Sequence, residues 1–387
     1  MKLAGDWLDH AGTKALLAAL TAKRHQALFV GGCVRNALLG EVVSDIDLAT
    51  DALPETVTTL AQSAGFRVVP TGLDHGTVTV IADGRAHEVT TFRKDIETDG
   101  RHAIVAFSTR IEDDAARRDF TINALYADTS GTVIDPLGGL PDLQSRRVRF
   151  VGDPETRLRE DYLRILRFFR FHARYGDPVQ GLDADGLAAC AALVSGLESI
   201  SKERIGSEMR KLLAARDPAP AVAAMAQAGV LAQVLPGADP RALPVLVHLE
   251  AGREPRWLRR LAVLGGEAAA DRLRLSRKEA DQLADLRAAI ASLDTPAALG
   301  WRHGAAGGED ALLARAALLS QPVPAGADAD LTRGATATFP VTAADLMPAL
   351  NGQALGRRLK ALETAWLASD LRLDRVALMS EIDPPEP

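Results

Sequence analysis

Residues 28–47 read LFVGGCVRNALLGEVVSDID and combine an apolar run, two glycines and two aspartates. The apolar run is typical of a buried strand, and it leads through Gly31-Gly32 into a segment with helical spacing. This order lets backbone N–H groups approach a phosphate, because glycine leaves room and a helix N-terminus attracts anions. We therefore expect the Gly31-Gly32 turn to admit a phosphate and Arg35 to add a charged fork. A simple tight turn is the alternative.

The two aspartates that end this stretch have one residue between them. If Ile46 lies in a strand, Asp45 and Asp47 point to the same face, where their carboxylates repel each other unless a cation lies between them. Oxygen ligands suit Mg²⁺, which also binds substrate phosphates. We expect Asp45 and Asp47 to be catalytic metal ligands of a phosphoryl- or nucleotidyl-transfer site. Two solvated aspartates at a strand end are the alternative.

Composition narrows the class of protein. A chain of 387 residues with 47% hydrophobic and 25% charged residues is typical of a globular protein of two or three domains. Its net charge of −6 excludes a uniformly basic nucleic-acid binder, so any such contact must be local. The N-terminus lacks the pattern of a secretory signal, no apolar run is long enough for a membrane span, and the two cysteines lie far apart. We expect a cytoplasmic location.

Periodicity predicts an α/β unit followed by helices. Up to about residue 150, short β-rich runs alternate with helical patterns. Residues 76–81 and 87–92 predict a hairpin closed by Asp83-Gly84, because Asp-Gly tolerates the positive φ of a tight turn. After residue 154 the chain becomes rich in Leu, Ala and Arg, which favours helices to the C-terminus. The stretch 321–334 is predicted as a loop from its glycine and proline content.

Positive charge and apolar spacing coincide between residues 157 and 174. One apolar stripe, with residues at i, i+4, i+7 and i+11, predicts a single helix through Leu158, Tyr162, Ile165 and Phe169. Six arginines share this stretch with two acidic residues. Another pair, Arg117-Arg118, precedes a predicted helix. A solvated face explains such charges as well as a binding site does.

The order of these segments resembles the class II tRNA nucleotidyltransferases, the CCA-adding enzymes, whose polymerase-β-like head is shared with bacterial poly(A) polymerases. The resemblance covers nearly the whole chain. It is carried by five motifs in order: Gly31-Gly32-x-Val34-Arg35 with Asp45-x-Asp47; His75-Gly76-Thr77-Val78 with Thr91-Phe92-Arg93; Arg117-Arg118-Asp119-Phe120-Thr121-x-Asn123-Ala124; Asp135-Pro136; and Arg159-Glu160-Asp161-x-x-Arg164 running on to Phe171.

The resemblance implies an α+β fold with three parts. These are a nucleotidyltransferase head with a mixed sheet over residues 1–150, a helical, nucleotide-selecting and RNA-binding neck over 151–235, and a helical, tRNA-binding body and tail over 236–387. It also implies roles for individual residues. Asp45 and Asp47 would hold the magnesium ions, and the nucleotide would be bound by Gly32, Arg35, Arg118, Asp161, Arg164, Arg167 and Arg170.

The chemistry of Asp161 and Arg164 supports their part of this assignment. At i and i+3 they are neighbours if both lie on one helix. Cytosine and adenine each present an amino donor beside a ring-nitrogen acceptor, which complements an acceptor-only Asp and a donor-only Arg. Guanine and uracil present a carbonyl to the carboxylate, a costly mismatch in a desolvated pocket. A surface ion pair within the helix is the alternative. Arg170 lies half a turn away and is better placed for phosphate or RNA.

Three further residues or segments bear on the assignment. The family usually has Asp where this chain has Asn36. The segment from Arg93 to Phe107 is full length, whereas the resemblance implies a shortened loop in enzymes that add only CC, so addition of A is expected. Glu88 is either a third active-site carboxylate or a glutamate at a sheet edge.

These observations predict a magnesium-dependent enzyme that adds CMP, CMP and AMP to the 3′ end of tRNA from CTP and ATP. The alternatives are a poly(A) polymerase, an enzyme that adds only CC or only A, and an inactive RNA-binding protein of the same architecture. Four arginines of the body are candidate tRNA contacts by charge alone, and a solvated helix face explains them equally well. They are Arg253, Arg256, Arg259 and Arg260.

Overall fold

A computed structural model describes residues 1–73, 76–99 and 102–380. His75 of the second motif and the centre of the 93–107 segment, residues 100–101, lie outside the described residues. The described chain separates into two compact units. The first contains Met1–Glu208 and Pro220–Val234, and the second contains Met209–Ala219 and the residues from Leu235 onward. The head, neck and body boundaries at 150 and 235 stay predictions.

The first unit contains a seven-stranded mixed sheet in the order β3-β4-β5-β2-β1-β8-β9 and a separate two-stranded sheet, β6-β7. Among the described residues, β2 and β5 form the only parallel pair. The strands are β1 (Ala27–Val30), β2 (Ile46–Thr50), β3 (Arg67–Gly72), β4 (Thr77–Ala82), β5 (Arg85–Thr91), β6 (Arg93–Asp99), β7 (His102–Phe107), β8 (Tyr126–Ala127) and β9 (Val133–Ile134). The predicted mixed sheet is confirmed, as is the hairpin through Asp83-Gly84, now β4-β5, whose two turn residues have φ of 49° and 75°.

Twelve helices lie between residues 1 and 234 in the described part of the chain. They are α1 (Asp6–Asp9), α2 (Ala11–Thr21), α3 (Gly32–Leu39), α4 (Pro54–Ser63), α5 (Ile111–Ala116), α6 (Gly139–Gln144), α7 (Pro154–Glu160), α8 (Leu163–Tyr175), α9 (Ala184–Ala192), α10 (Lys202–Leu213), α11 (Ala219–Gln227) and α12 (Val230–Val234). Short 3₁₀ turns add Thr121–Asn123 and Val194–Ser199.

The rest of the described chain is helical, as predicted. Its helices are α13 (Leu243–Leu249), α14 (Trp257–Leu264), α15 (Ala269–Arg272), α16 (Arg277–Ala291), α17 (Pro296–Leu319), α18 (Ala327–Thr336), α19 (Ala343–Leu346), α20 (Gly352–Ala368) and α21 (Arg375–Ser380). Within the described ranges, no helix has the length and apolar character needed to cross a membrane.

An aromatic cluster fixes α8 against the segments around Phe120 and Phe150. Phe120 packs on Phe150 and Phe171 with ring centroids 5.0 and 4.8 Å apart, and Phe150 stacks on Phe168 at 5.3 Å. All four rings are buried. Burying such rings contributes several kcal/mol in total, on the order of 1.5–3 kcal/mol for each large apolar side chain. The arginines of α8 are therefore held in fixed positions relative to residues 117–123 of the head.

The single helix predicted through Leu158 and Phe169 is wrong. Helix α7 ends at Glu160, Asp161 has extended dihedrals (φ −156°, ψ 103°), and α8 begins at Leu163. The Asp161 side chain accepts a hydrogen bond from the Leu163 backbone N–H at 3.1 Å. Aspartate competes in this way with the helical backbone, so the chain breaks there although the apolar spacing continues.

The loop predicted over 321–334 is confirmed for residues 321–326 and wrong for the rest, which belongs to helix α18. Leu331 is buried, and Gly334 lies so close to the Ala297 carbonyl that a β-carbon there would overlap it. Gly300 approaches the backbone of Leu331 in the same way. These glycines allow α17 and α18 to pack with their backbones in contact, so packing outweighs their low helix propensity.

Candidate active site

Asp45, Asp47 and Glu88 lie on or next to two paired strands of the first unit. Asp47 in β2 pairs in register with Glu88 in the neighbouring parallel strand β5. Asp45 directly precedes β2, is exposed and accepts a hydrogen bond of 2.9 Å from the Ser44 hydroxyl. Glu88 therefore lies on an internal strand of the sheet, so its interpretation as a sheet-edge residue is wrong. Side chains of register partners project from the same face, which places Glu88 beside Asp47.

The electrostatics of Asp47 fit a cation site. Burial and, next to it, the negative charge of Glu88 raise the pKa of Asp47 to about 6, although Arg118 and Arg35 act in the opposite direction. A bound divalent cation would remove this repulsion. Within the described residues, no three His, Cys, Asp or Glu side chains converge closely enough to form a metal cage. An oxygen donor set that leaves positions for water and substrate phosphate suits Mg²⁺ better than a closed cage does.

The glycine turn before α3 lies beside Arg118. Gly31 has φ 68° and ψ −117°, a conformation that L-residues rarely adopt, and its N–H donates to the Leu125 carbonyl at 3.0 Å. A β-carbon on Gly31 would lie 3.2 Å from a guanidinium nitrogen of Arg118. Gly32 begins α3, so its backbone N–H belongs to a free helix N-terminus. The geometry therefore permits the phosphate contact expected for Gly32.

A buried carboxylate orients Arg118 and its neighbour. Asp114, 1% exposed, accepts hydrogen bonds of 2.9 Å from both Arg117 and Arg118 and of 2.6 Å from the Tyr126 hydroxyl. Burial opposes the charge of Asp114, but Arg118 and Arg117 outweigh it and lower its pKa to about 2. Arg157 of α7 donates to the backbone carbonyls of both arginines. Arg117 and Arg118 are therefore held in fixed positions by Asp114 and Arg157, unlike the mobile arginines of a solvated helix face.

Arg35 is placed differently from the expectation of a phosphate fork. It is buried and donates to the side-chain oxygens of Asn36 and Asn123 and to the Tyr175 hydroxyl, the last at 2.7 Å. Its guanidinium also lies 4.1 Å from the centre of the Tyr175 ring. Burial lowers the pKa of Arg35. All of these hydrogen-bond partners are neutral, so Arg35 contributes positive potential without being neutralised by a directly bonded carboxylate.

A cavity of about 310 Å³ is lined by four of the seven residues that are predicted to bind the nucleotide. Arg118, Asp161, Arg164 and Arg167 line it, whereas Gly32, Arg35 and Arg170 do not. The remaining lining residues are Arg117, Asp119, Leu163 and Arg204. The lining contains five arginines and two aspartates, so the cavity wall carries an excess of positive charge. Such a wall favours an anionic ligand, for example a nucleoside triphosphate.

Asp161 and Arg164 both line this cavity, yet each has a different ionic partner. The Asp161 carboxylate accepts a hydrogen bond of 2.6 Å from Arg204. Arg164 donates to Glu160 and, at 2.7 Å, to the Arg157 carbonyl. They are not neighbours on one helix, because Asp161 lies in the break before α8. The Arg164 N–H still bonds to the Asp161 carbonyl at 2.9 Å, so the two residues remain adjacent.

The two other predicted arginines of α8 lie in ion pairs. Arg167 donates to Asp119, whose other oxygen accepts from Asn123 at 2.8 Å. Burial raises the pKa of Asp119, but Arg167 and Asn123 outweigh that effect and lower it to about 2. Arg170 donates to Glu208 at 2.6 Å, and both side chains are largely buried. Arg167 thus belongs to the cavity wall, whereas Arg170 is held away from it.

Two of the four candidate tRNA arginines in the second unit are buried inside it. Arg259 and Arg260, each 1% exposed, share the carboxylate of Glu250 at 2.7 Å. Arg260 also donates to the backbone carbonyls of Leu213 and Ala215. The prediction that these two arginines contact tRNA is wrong, because both are committed to the core. Arg253 and Arg256 are partly exposed and stay candidates.

Three residues that support the site were not among the predicted site residues. Asp114, Tyr126 and Arg204 carry no motif that singles them out. Asp114 had one available signal, since it lies four residues before Arg118 at the spacing of a helical ion pair. Arg204 is 43 residues from its partner Asp161 in the sequence, and only the fold brings the two side chains together.

Comparison with known proteins agrees with this architecture. Residues 27–149 match the family profile described as "Poly A polymerase head domain", and residues 182–241 match "Probable RNA and SrmB- binding site of polymerase A". The chain is 43% identical to the human mitochondrial CCA tRNA nucleotidyltransferase 1 over 203 residues, which cover 52% of this chain and 47% of the human protein. The match thus spans about half the length of that relative.

Two bacterial relatives match over longer regions. The CCA-adding enzyme of Geobacillus thermodenitrificans is 38% identical over 294 residues, covering 73% of this chain and 71% of the relative. The solved structure of the Bacillus stearothermophilus CCA-adding enzyme in complex with CTP is 29% identical, covers 96% of both chains and has a TM-score of 0.73. On the extent of these matches, the chain belongs to the family of CCA-adding enzymes and poly(A) polymerases.

Proposed function

We propose that the chain is a magnesium-dependent tRNA nucleotidyltransferase that adds CMP, CMP and AMP to the 3′ end of tRNA from CTP and ATP. The observation that supports this proposal most strongly is the arginine-rich cavity. Arg118 lines it together with Asp161, Arg164 and Arg167. The names of the relatives support tRNA and CCA addition, and the CTP complex of the Bacillus enzyme supports a cytidine nucleotide as substrate.

In the proposed reaction, the tRNA 3′-hydroxyl attacks the α-phosphate of the nucleotide. A P–O bond forms to the RNA, the bond to the β-phosphate oxygen breaks, the hydroxyl proton passes to solvent, and pyrophosphate leaves. Arg118, fixed by Asp114 and Tyr126, neutralises charge on the triphosphate throughout. The N-terminus of α3 at Gly32 donates backbone N–H groups to the same phosphates. Arg35, whose guanidinium lies close to Gly32, adds positive potential there.

We propose Asp45 and Asp47 as the ligands of the metal ions, with Glu88 as a third carboxylate beside them. Mg²⁺ bound there would supply Lewis-acid stabilisation of the phosphates and a lowered pKa for the attacking hydroxyl. The raised pKa of Asp47 supports this assignment, because it reflects burial and carboxylate repulsion that a cation relieves. The strand pair β2-β5 keeps the backbones of Asp47 and Glu88 in register, so both carboxylates start from fixed neighbouring positions.

Asp161 and Arg164 are proposed to read the edge of the incoming base. The carboxylate accepts from the amino group of cytosine or adenine, and the guanidinium donates to the adjacent ring nitrogen. Both side chains line the same cavity and follow one another across the start of α8, which supports this role. Arg167, pinned by Asp119, would then contribute to holding the nucleotide.

The test is stepwise incorporation into defined RNA ends. Labelled CTP and ATP, separately and together with Mg²⁺, are offered to tRNA transcripts that end before CCA, after C and after CC. A generic oligoribonucleotide is the control. We expect two CMP and one AMP, with addition stopping after the single A.

Each other pattern corrects the proposal in a defined way. Long A-tails on the generic RNA assign a poly(A) polymerase, and incorporation of only CMP or only AMP assigns a partial enzyme. No incorporation on any end, combined with retained RNA binding, assigns an inactive RNA-binding protein. A cytoplasmic location stays a prediction, and the human relative is named as mitochondrial.

A further inference from the structure

The carboxylate proposed to read the base is held at both of its oxygens. Asp161 Oδ1 accepts from the Leu163 N–H at 3.1 Å, and Oδ2 accepts from a guanidinium nitrogen of Arg204 at 2.6 Å. Each side chain of the Asp161–Arg204 pair is 18% exposed, so both still reach the cavity. Contacts at both oxygens prevent the carboxylate from rotating about its χ2 angle, a torsion that is otherwise broad.

The same part of the chain also fixes the residue after Asp161. The Tyr162 ring lies against Gly196 in the 3₁₀ turn Val194–Ser199, and a β-carbon on Gly196 would overlap that ring. Arg204 follows in the first turn of α10. Residues 196–204 therefore provide two separate anchors for the break between α7 and α8, one by packing and one by an ion pair.

Arg164 does not hold the Asp161 carboxylate in the structure. Its guanidinium is occupied by Glu160 and by the Arg157 carbonyl, whereas Arg204 forms an ion pair with Asp161. The acceptor and the donor of the proposed base-reading pair thus have separate supports. A change at Arg204 acts on the acceptor and leaves the partners of Arg164 in place.

We infer that Arg204 is a positioning residue that sets base specificity by preventing the Asp161 carboxylate from turning away from a mismatched base. The inference rests on the proposed function. Repulsion between a carboxylate and the carbonyl of uracil or guanine discriminates only if the carboxylate cannot rotate aside. With Arg204 removed, the carboxylate is held by one backbone N–H and turns to accommodate the wrong base.

The test compares nucleotide selectivity in full-length variants. The quantity measured is kcat/KM for CTP and UTP on tRNA ending before CCA, and for ATP and GTP on tRNA ending in CC. For Arg204→Gln we expect the ratio of kcat/KM for UTP to that for CTP to rise roughly tenfold. The reason is that the Asp161 carboxylate can then turn away from the uracil carbonyl, which relieves one hydrogen-bond mismatch. For Arg204→Lys we expect selectivity closer to the wild type, since an ammonium group still pairs with Asp161.

Two further variants separate positioning from folding. Gly196→Ala displaces Tyr162 without touching Arg204, and it should relax selectivity in the same direction. Arg147→Gln is the matched control, because it also breaks an ion pair to a buried aspartate, Asp183, at a position outside the cavity. It should leave the ratio unchanged. Melting temperatures of all variants show whether each one folds.

The outcomes are distinguishable. A wild type that adds no nucleotide overturns the proposed function and this inference with it. A wild type that selects CTP, together with Arg204→Gln and Gly196→Ala variants that lose CTP and UTP activity in equal proportion, overturns the inference alone. A rise in UTP and GTP use in both variants, absent from Arg147→Gln, establishes it.

Discussion

Asp47 and Glu88 are register partners on the parallel strands β2 and β5, and the charge of Glu88 contributes to the raised pKa of Asp47. The native sheet thus holds two carboxylates side by side, which disfavours the ionised form of Asp47 unless a cation binds. A purely structural sheet gains nothing from this arrangement. The pair is therefore best explained as part of the proposed metal site.

Replacing Glu88 should have opposite effects on stability and on the use of Mg²⁺. Glu88→Gln relieves the repulsion, so we expect a melting temperature equal to or above that of the wild type. The Mg²⁺ concentration for half-maximal activity should rise several-fold, because a ligand or near neighbour of the cation has lost its charge. Thermal melts and a magnesium titration of CMP addition measure the two effects. An unchanged magnesium dependence would remove Glu88 from the site.

Tyr126 should matter for nucleotide binding although it lies behind the cavity wall. Its hydroxyl donates to Asp114 and accepts from Arg118, and the side chain is fully buried. Tyr126→Phe should lower the free energy of unfolding by about 1–2 kcal/mol. Because Arg118 loses one of its supports, the KM for CTP should rise several-fold. Chemical denaturation and steady-state kinetics test this, and a destabilised variant with unchanged KM would limit Tyr126 to a folding role.

The ion pair between Asp119 and Arg167 predicts a defined acid sensitivity. The pKa of Asp119 is lowered to about 2 in the folded state, against an ordinary value of 3.8. Its stabilising contribution is therefore complete above about pH 4 and disappears as the pH falls towards 2, for a total of about 2 kcal/mol. Urea unfolding of the wild type and Asp119→Asn at pH 6, 4 and 3 should show a shrinking difference. A difference independent of pH would contradict this.

Glu250 should be essential to the second unit. It pairs with both Arg259 and Arg260, which are buried, so Glu250→Gln leaves Arg260 without its carboxylate partner and Arg259 with Asp310 alone. Breaking such a buried network costs about 3–5 kcal/mol. Glu309→Gln is the control, because its partner Arg253 is about one third exposed, and a surface pair of this kind contributes at most about 1 kcal/mol. Calorimetry should show a large shift of the second unit for Glu250→Gln only.

The sequence predicts those features whose cause is local. The spacing of Asp45 and Asp47, the glycine turn at Gly31 and the Asp-Gly hairpin each depend on a few consecutive residues, and the structure contains a strand, a helix start and a turn at those places. The partnership of Glu88 with Asp47 depends on the register of two strands distant in sequence. No local pattern contains that register.

The remaining errors come from tertiary packing. The charge pattern of Arg259 and Arg260 predicts a surface helix, whereas the carboxylates of Glu250 and Asp310 and nearby backbone carbonyls compensate their charges inside the core. Apolar spacing alone continues the helix through Asp161, whereas the aspartate side chain and its anchors interrupt it. Glycine content predicts a loop near Gly334, whereas the close approach of α17 makes the same glycine suitable for a helix.

The most direct test of the account is single-turnover addition of the first CMP by Asp47→Asn at graded Mg²⁺ concentrations, beside the wild type. Asparagine preserves the size of the side chain and removes its charge. We predict a loss of at least about a thousandfold in the rate at every magnesium concentration, with CTP binding and the melting temperature retained, because phosphoryl transfer depends on the charge held there. A variant that adds CMP at a rate close to that of the wild type would contradict the assignment of Asp47 and the nucleotidyltransferase site built around it.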